Sequence, residues 1–185
     1  MLLFFLVSGV NCAHAQVPAP IKQRTFSLTA GGLGSVFQPD YAGGGVPGAS
    51  PTDLAGPGAF VDLHFTNWIQ IEAEGRWLRF NQYHNINEDN YLIGYRHPIR
   101  ALRFWNITPY GKILVGFARM NFEYNTAYGR FADIAYGGGL EMHTKGRFVI
   151  RPVDFEYQQW PNWFHGGTLH PYGFSFGIGY RILGR

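Results

Sequence analysis

Tyr172-Gly173-Phe174-Ser175-Phe176-Gly177-Ile178-Gly179-Tyr180-Arg181-Ile182 decides how this chain reads. In an extended strand successive side chains point to opposite sides. Tyr172, Phe174, Phe176, Ile178, Tyr180 and Ile182 therefore share one face, and Gly173, Ser175, Gly177, Gly179 and Arg181 share the other. The segment is about ten residues long, the length a tilted strand needs to cross a bilayer.

The same alternation recurs upstream. In 69–80, Ile69, Ile71, Ala73 and Trp77 oppose Gln70, Glu72, Glu74 and Arg76. In 133–143, Ile134, Tyr136, Leu140 and Met142 oppose Gly137, Gly139, Glu141 and His143. In 147–159, Val153, Phe155 and Tyr157 oppose Asp154, Glu156 and Gln158, and Pro152 marks a bulge that shifts Arg151 relative to the residues after it. Four further segments, 25–37, 58–66, 89–97 and 108–121, follow the pattern less sharply. No stretch holds an i, i+3, i+4 apolar period, so the chain reads as all-β with eight strands. Long connections are expected at 38–57, 81–88, 122–132 and 160–170. Short ones are expected at Thr66-Asn67 and Thr144-Lys145-Gly146, with 97–107 long for its side. Alternating connection lengths suit an antiparallel up-and-down transmembrane β-barrel.

Periodicity alone does not say which face is inside, since a soluble barrel shows the same alternation with the opposite sense. Volume argues for apolar-out. An eight-stranded barrel is just wide enough for side chains, and Phe174, Phe176, Tyr180, Trp77, Tyr136, Phe155 and Tyr157 would overfill it. Composition agrees. Aromatics reach 17% against 15% charged residues, and lysine occurs only at Lys22, Lys112 and Lys145; soluble domains average roughly 25% charged. Mean hydropathy is nevertheless −0.12, as expected when only alternate residues meet lipid. Aromatics also gather toward strand ends, and Trp68, Trp77, Trp105, Trp160, Trp163 and Tyr180 are expected to form interfacial girdles.

The ends and the charges bound the rest. Met1 to Val7 is apolar and Ala13-His14-Ala15 follows, so 1–15 reads as a secretory signal peptide, 16–24 as a linker and 25–185 as the barrel domain. The sole cysteine, Cys12, would leave with the signal, removing disulfides and thiolate chemistry from the mature protein. The fifteen basic residues are scattered, so no phosphate-tracking stripe for nucleic acid is present. Six histidines follow the signal without an H-x-x-x-H or H-E-x-x-H spacing, so no metal and no cofactor is expected. Neither Gly43-Gly44-Gly45 nor Gly137-Gly138-Gly139 has the Lys-Ser/Thr of a phosphate loop.

Ala135 to Glu141, Arg151 to Gln158 and Gly173 to Arg181, with Pro109-Tyr110-Gly111 and Leu114-Val115-Gly116, resemble the OmpA-like outer-membrane β-barrel domain family. The resemblance implies an eight-stranded barrel in a bacterial outer membrane, inserted by the barrel assembly machinery, without assigned enzymatic activity. Family chains end in an aromatic residue that serves assembly. This one ends Ile182-Leu183-Gly184-Arg185, so Tyr180 is expected to take that part.

With the polar face inside, Glu72, Glu74, Arg76, Lys112, Glu141, Asp154 and Glu156 share a narrow lumen. Each buried charge needs a partner, so an ion-pair network is expected, with Arg151 and Arg96 as further cations where register permits. The expected function is a structural or surface-interaction role for a monomer in contact with outer-membrane lipid and lipopolysaccharide, with its external loops in the medium and no open pore. The alternative is a lipid-modifying enzyme or small-ligand transporter on the same barrel. For the enzyme, His170 and Ser175 are the pair to examine, but a spacing of five puts them on opposite faces.

Overall fold

The computed structural model describes residues 26–40, 53–65, 69–82, 85–121, 128–163 and 167–184. Residues 1–15 and 16–24, read above as signal peptide and linker, lie outside these residues, as do Trp68, His84, His165 and Gly43 to Gly45. Nine strands follow in chain order: β1 (Ser27–Gln38), β2 (Leu54–His64), β3 (Gln70–Leu78), β4 (Asn87–Pro98), β5 (Ile107–Asn121), β6 (Tyr128–His143), β7 (Phe148–Trp163), the short β8 (Gly167–Leu169) and β9 (Tyr172–Leu183). Chain neighbours from β1 to β7 pair antiparallel, and β9 pairs with both β7 and β1. The result is a closed eight-stranded barrel, with β8 folded back on the end of β7. Closure leaves no unpaired edge, the condition for a sheet to exist in lipid.

The sense of the barrel is apolar-out. Phe174, Phe176, Ile178 and Tyr180 on β9 are exposed, as are Ile93 on β4, Ile113 and Val115 on β5 and Phe155 on β7, whereas Glu72, Glu74 and Glu156 are buried. Phe176 is 66% exposed and Glu72 0%. An outer face so bulky and apolar is stable only against another apolar phase.

The glycine face of β9 gives the interior its room. A Cβ on Gly177 would stand 2.7 Å from Leu33 Cδ2, and one on Gly179 2.8 Å from the Phe60 ring. The bare backbone thus admits Phe60, one of few aromatic rings turned inward. Pro152 marks a bulge as its position in the pattern suggests: the β7–β9 register shifts between Arg151 and Asp154, and both residues point inward.

Two expectations need correction. Three external connections are shorter than the alternation implies, because β2 begins at Leu54, β6 at Tyr128, and β7 runs on to Trp163, while the one before β4 keeps its length and moves to 79–86. β6 and β7 have 16 residues each, more than the roughly 9–11 that span a bilayer, so their upper ends stand clear of it. Trp160 and Trp163 also do not belong to an outer girdle. They are 0% and 1% exposed and join Phe37, Leu54, Leu78, Ile86, Ala118, Met120 and Leu169 in a cluster inside the external end. From the headgroups upward the outer face meets polar surroundings, so bulky rings gain more by turning into the barrel mouth. Trp77 and Tyr180 stay on the outer face, and Trp105 is 82% exposed in the β4–β5 connection, beside the short 3-10 turn Arg100–Leu102.

Candidate functional site

The interior is layered along the barrel axis. In barrels of this kind short turns mark the periplasmic side and longer connections the external side, which places the start of β1, the end of β9 and the β6–β7 connection at the periplasmic rim. Four carboxylates from two strands, β3 and β7, surround the Lys112 ammonium on β5. Its Nζ lies 2.8 Å from Glu74, 2.8 Å from Asp154, 3.0 Å from Glu156 and 3.4 Å from Glu72. Glu72, Glu74 and Asp154 approach one another closely enough to hold a metal ion, but the ammonium is the cation at that place.

Arginines complete the layer. Arg76 donates to both oxygens of Glu156, at 2.6 and 2.9 Å, and also to Glu74. Arg96 donates to Glu141 at 2.5 Å and to Asp62 at 3.1 Å. Arg151 donates to Asp62 at 2.6 Å and to Glu72 at 2.8 Å, with its guanidinium 3.8 Å from the centre of the Phe60 ring. Arg96 lies 3.6 Å from the Tyr110 ring centre. The two rings hold the arginines flat, so the planar forks reach across the lumen to carboxylates on β2, β3 and β6. The space that Gly177 and Gly179 leave for Phe60 is thus what positions Arg151.

Toward the external end the ion pairs give way to amides, with the carboxyl groups of Asp133 and Glu88 among them, and then to apolar side chains. Asn90 donates to Asp133 at 3.2 Å and to Gln158 at 3.1 Å, and Gln158 donates to Glu156 at 2.8 Å. Trp160 Nε1 donates to Gln158 at 3.1 Å, which satisfies the one polar atom of its ring. The apolar cluster sits above this as a cap. On the β1–β9 seam Ser35 and Ser175 share a hydrogen bond of 2.8 Å.

All seven charged residues singled out in the sequence lie inside, and Arg96 and Arg151 join them. Sequence reasoning missed Asp62, Glu88 and Asp133, and also Tyr110 and Phe60. Asp62 could have been found, since it stands in β2 between outward Val61 and half-buried Leu63 with the parity of Phe60. Among the described residues the buried charges are eight carboxylates (Asp62, Glu72, Glu74, Glu88, Asp133, Glu141, Asp154, Glu156) and four cations (Arg76, Arg96, Lys112, Arg151). His170 and Ser175 are apart in role. His170 shares a hydrogen bond of 2.8 Å with Tyr157, while the Ser175 hydroxyl is buried against Ser35.

A closed eight-stranded barrel with lipid-facing aromatics and a charged interior matches one family model, the outer membrane protein beta-barrel domain, over residues 3–181. The chain belongs to that family. Among solved structures it is similar to the outer membrane protein OprG of Pseudomonas aeruginosa, with a TM-score of 0.59 and 11% identity, covering 86% of this chain and 97% of that one. It is also similar to neisserial surface protein A, at 0.56 and 10%, covering 84% and 96%. The N-terminal β-barrel domain of Pseudomonas aeruginosa OprF matches at 0.55 and 12%, covering 86% and 100%. At such identities the likeness is one of fold. No curated protein sequence matches the chain. As an outer-membrane barrel of this family, the protein has its polar groups arranged around the axis and its apolar groups around the rim, the reverse of a soluble domain.

Proposed function

We propose that the protein is a closed outer-membrane barrel with a structural or surface-interaction role, acting through its outer wall and external loops rather than through a pore. The observation that carries this reading is the filled interior: a layer of ion pairs centred on Lys112, capped by Trp160 and Trp163. An ion crossing the barrel would have to part charge-assisted hydrogen bonds on several strands at once, each stronger than a neutral one. The interior therefore acts as a rigid core that fixes the barrel's shape and the positions of the loops above it.

Planar-bilayer recording tests this. The purified, refolded protein is expected to insert without steady conductance steps. Reproducible steps that vanish when Trp160 or Trp163 is cross-linked in place would overturn the closed reading and favour transport.

A further inference from the structure

Outside the interior, the external end of the wall gathers charge without balancing it among the described residues. Arg119 on β5 and Arg130 on β6 are direct cross-strand partners. Both point outward near the external end of their strands and both are exposed. Like charges placed opposite each other destabilise a sheet. The carboxylate opposite Arg119 in the register is Asp89 on β4, and both its oxygens are engaged by Arg79, at 2.9 and 3.0 Å. Arg79, Asn87, Asp89, Arg119 and Tyr128 line one groove, in which Asp89 is the one carboxylate among the described residues. Arg130 stands beside it with its guanidinium 4.0 Å from the Phe117 ring centre, and Phe117 packs on Tyr91.

The height of this cluster on the wall identifies its ligand. One outward position below Arg119 is Phe117, and below that Val115 and Ile93 begin the apolar belt. The arginines thus stand at the boundary between acyl chains and headgroups of the outer leaflet. Among the described residues, three guanidinium groups against one carboxylate leave an excess of two positive charges. A phosphate monoester carries roughly −1.5 to −2 at neutral pH and accepts forked arginine donors.

We propose that Arg119 and Arg130, with Arg79 beside them, bind a phosphate group of a phosphorylated glycolipid in the outer leaflet. This rests on the outer-membrane barrel reading above, and it explains why two arginines are placed face to face. The bound phosphate bridges them, and the lipid's acyl chains lie on the belt below.

Titration of the full-length protein in non-ionic detergent, read by native mass spectrometry, tests the site. Bisphosphorylated lipid A is expected to bind on the order of tenfold tighter than its dephosphorylated form. Arg119→Gln/Arg130→Gln is expected to erase that preference, and Arg119→Gln alone to reduce it about threefold. Arg100→Gln/Arg103→Gln at the opposite rim is expected to keep it. Without lipid, the double variant is expected to melt no lower than the parent, because a like-charge contact is relieved. Equal binding of both lipids, or a preference that survives the double variant, would overturn the site. Competition by equimolar inorganic phosphate would reassign it to free phosphate. Failure of the barrel reading is separately visible, as loss of the mobility difference between boiled and unboiled protein.

Discussion

Replacing Lys112 with methionine keeps the length of the side chain and removes the charge around which four carboxylates are arranged. The attraction lost is large. Four contacts at an effective dielectric of about 20 amount to a gross energy on the order of 20 kcal/mol. Most of it offsets the cost of burying the ammonium, which methionine does not incur. What remains is the penalty of leaving Glu72, Glu74, Asp154 and Glu156 with too few cations. Arg76 still holds Glu74 and Glu156, and Arg151 still holds Glu72. Asp154 loses its one charged partner among the described residues. A buried pair broken on one side costs about 3–5 kcal/mol, and that is the expected loss at pH 7. The assay is urea-induced unfolding in phospholipid vesicles, followed by electrophoretic mobility without boiling. Protonation neutralises carboxylates that Lys112 no longer offsets, so the loss is expected to shrink as pH falls. Adding Asp154→Asn is expected to recover part of it at pH 7, because the uncompensated charge is then gone. A loss below about 1 kcal/mol, the size of an exposed ion pair, would refute the network, and so would strict additivity of the two substitutions.

Phe176→Arg places a charge in the middle of the lipid-facing side of β9 and is expected to cost roughly 2–4 kcal/mol in vesicles; tolerance there would contradict the apolar-out sense. Gly179→Val drives a side chain toward the Phe60 ring and is expected to cost about 1–3 kcal/mol by overpacking. Phe60→Leu is expected to restore part of that stability, which equilibrium unfolding of the double variant measures. Single-tryptophan forms retaining Trp163 or Trp105 are expected to differ in fluorescence quenching. Trp105 is open to iodide, whereas Trp163 is shielded from both iodide and brominated lipid, and lipid quenching of Trp163 would return it to the outer wall.

The fold was legible because its signal is local. Tyr172 to Ile182 state their two faces without any partner strand, and the size of Phe174 and Phe176 against Gly177 and Gly179 already says which face can fit inside. The parity of Gln158 likewise extends to Trp160 and points it inward. A reading that treats 160–170 as loop loses that signal. Trp163 is different: the β7–β8 register shifts between Trp160 and Trp163, and a shift of phase cannot be counted through from composition.

The sequence by itself determined the strand period, the number of barrel strands, the apolar-out sense and most of the charges that would be shut inside, because alternation and side-chain volume are properties of short segments. Only the tertiary structure decided that Arg151 meets Asp62 and Glu72, that Arg76 grips Glu156 eighty residues away, and that Arg119 faces Arg130. Those meetings depend on how far each strand slides past its neighbour, and one residue of slip would send every such side chain to the other face.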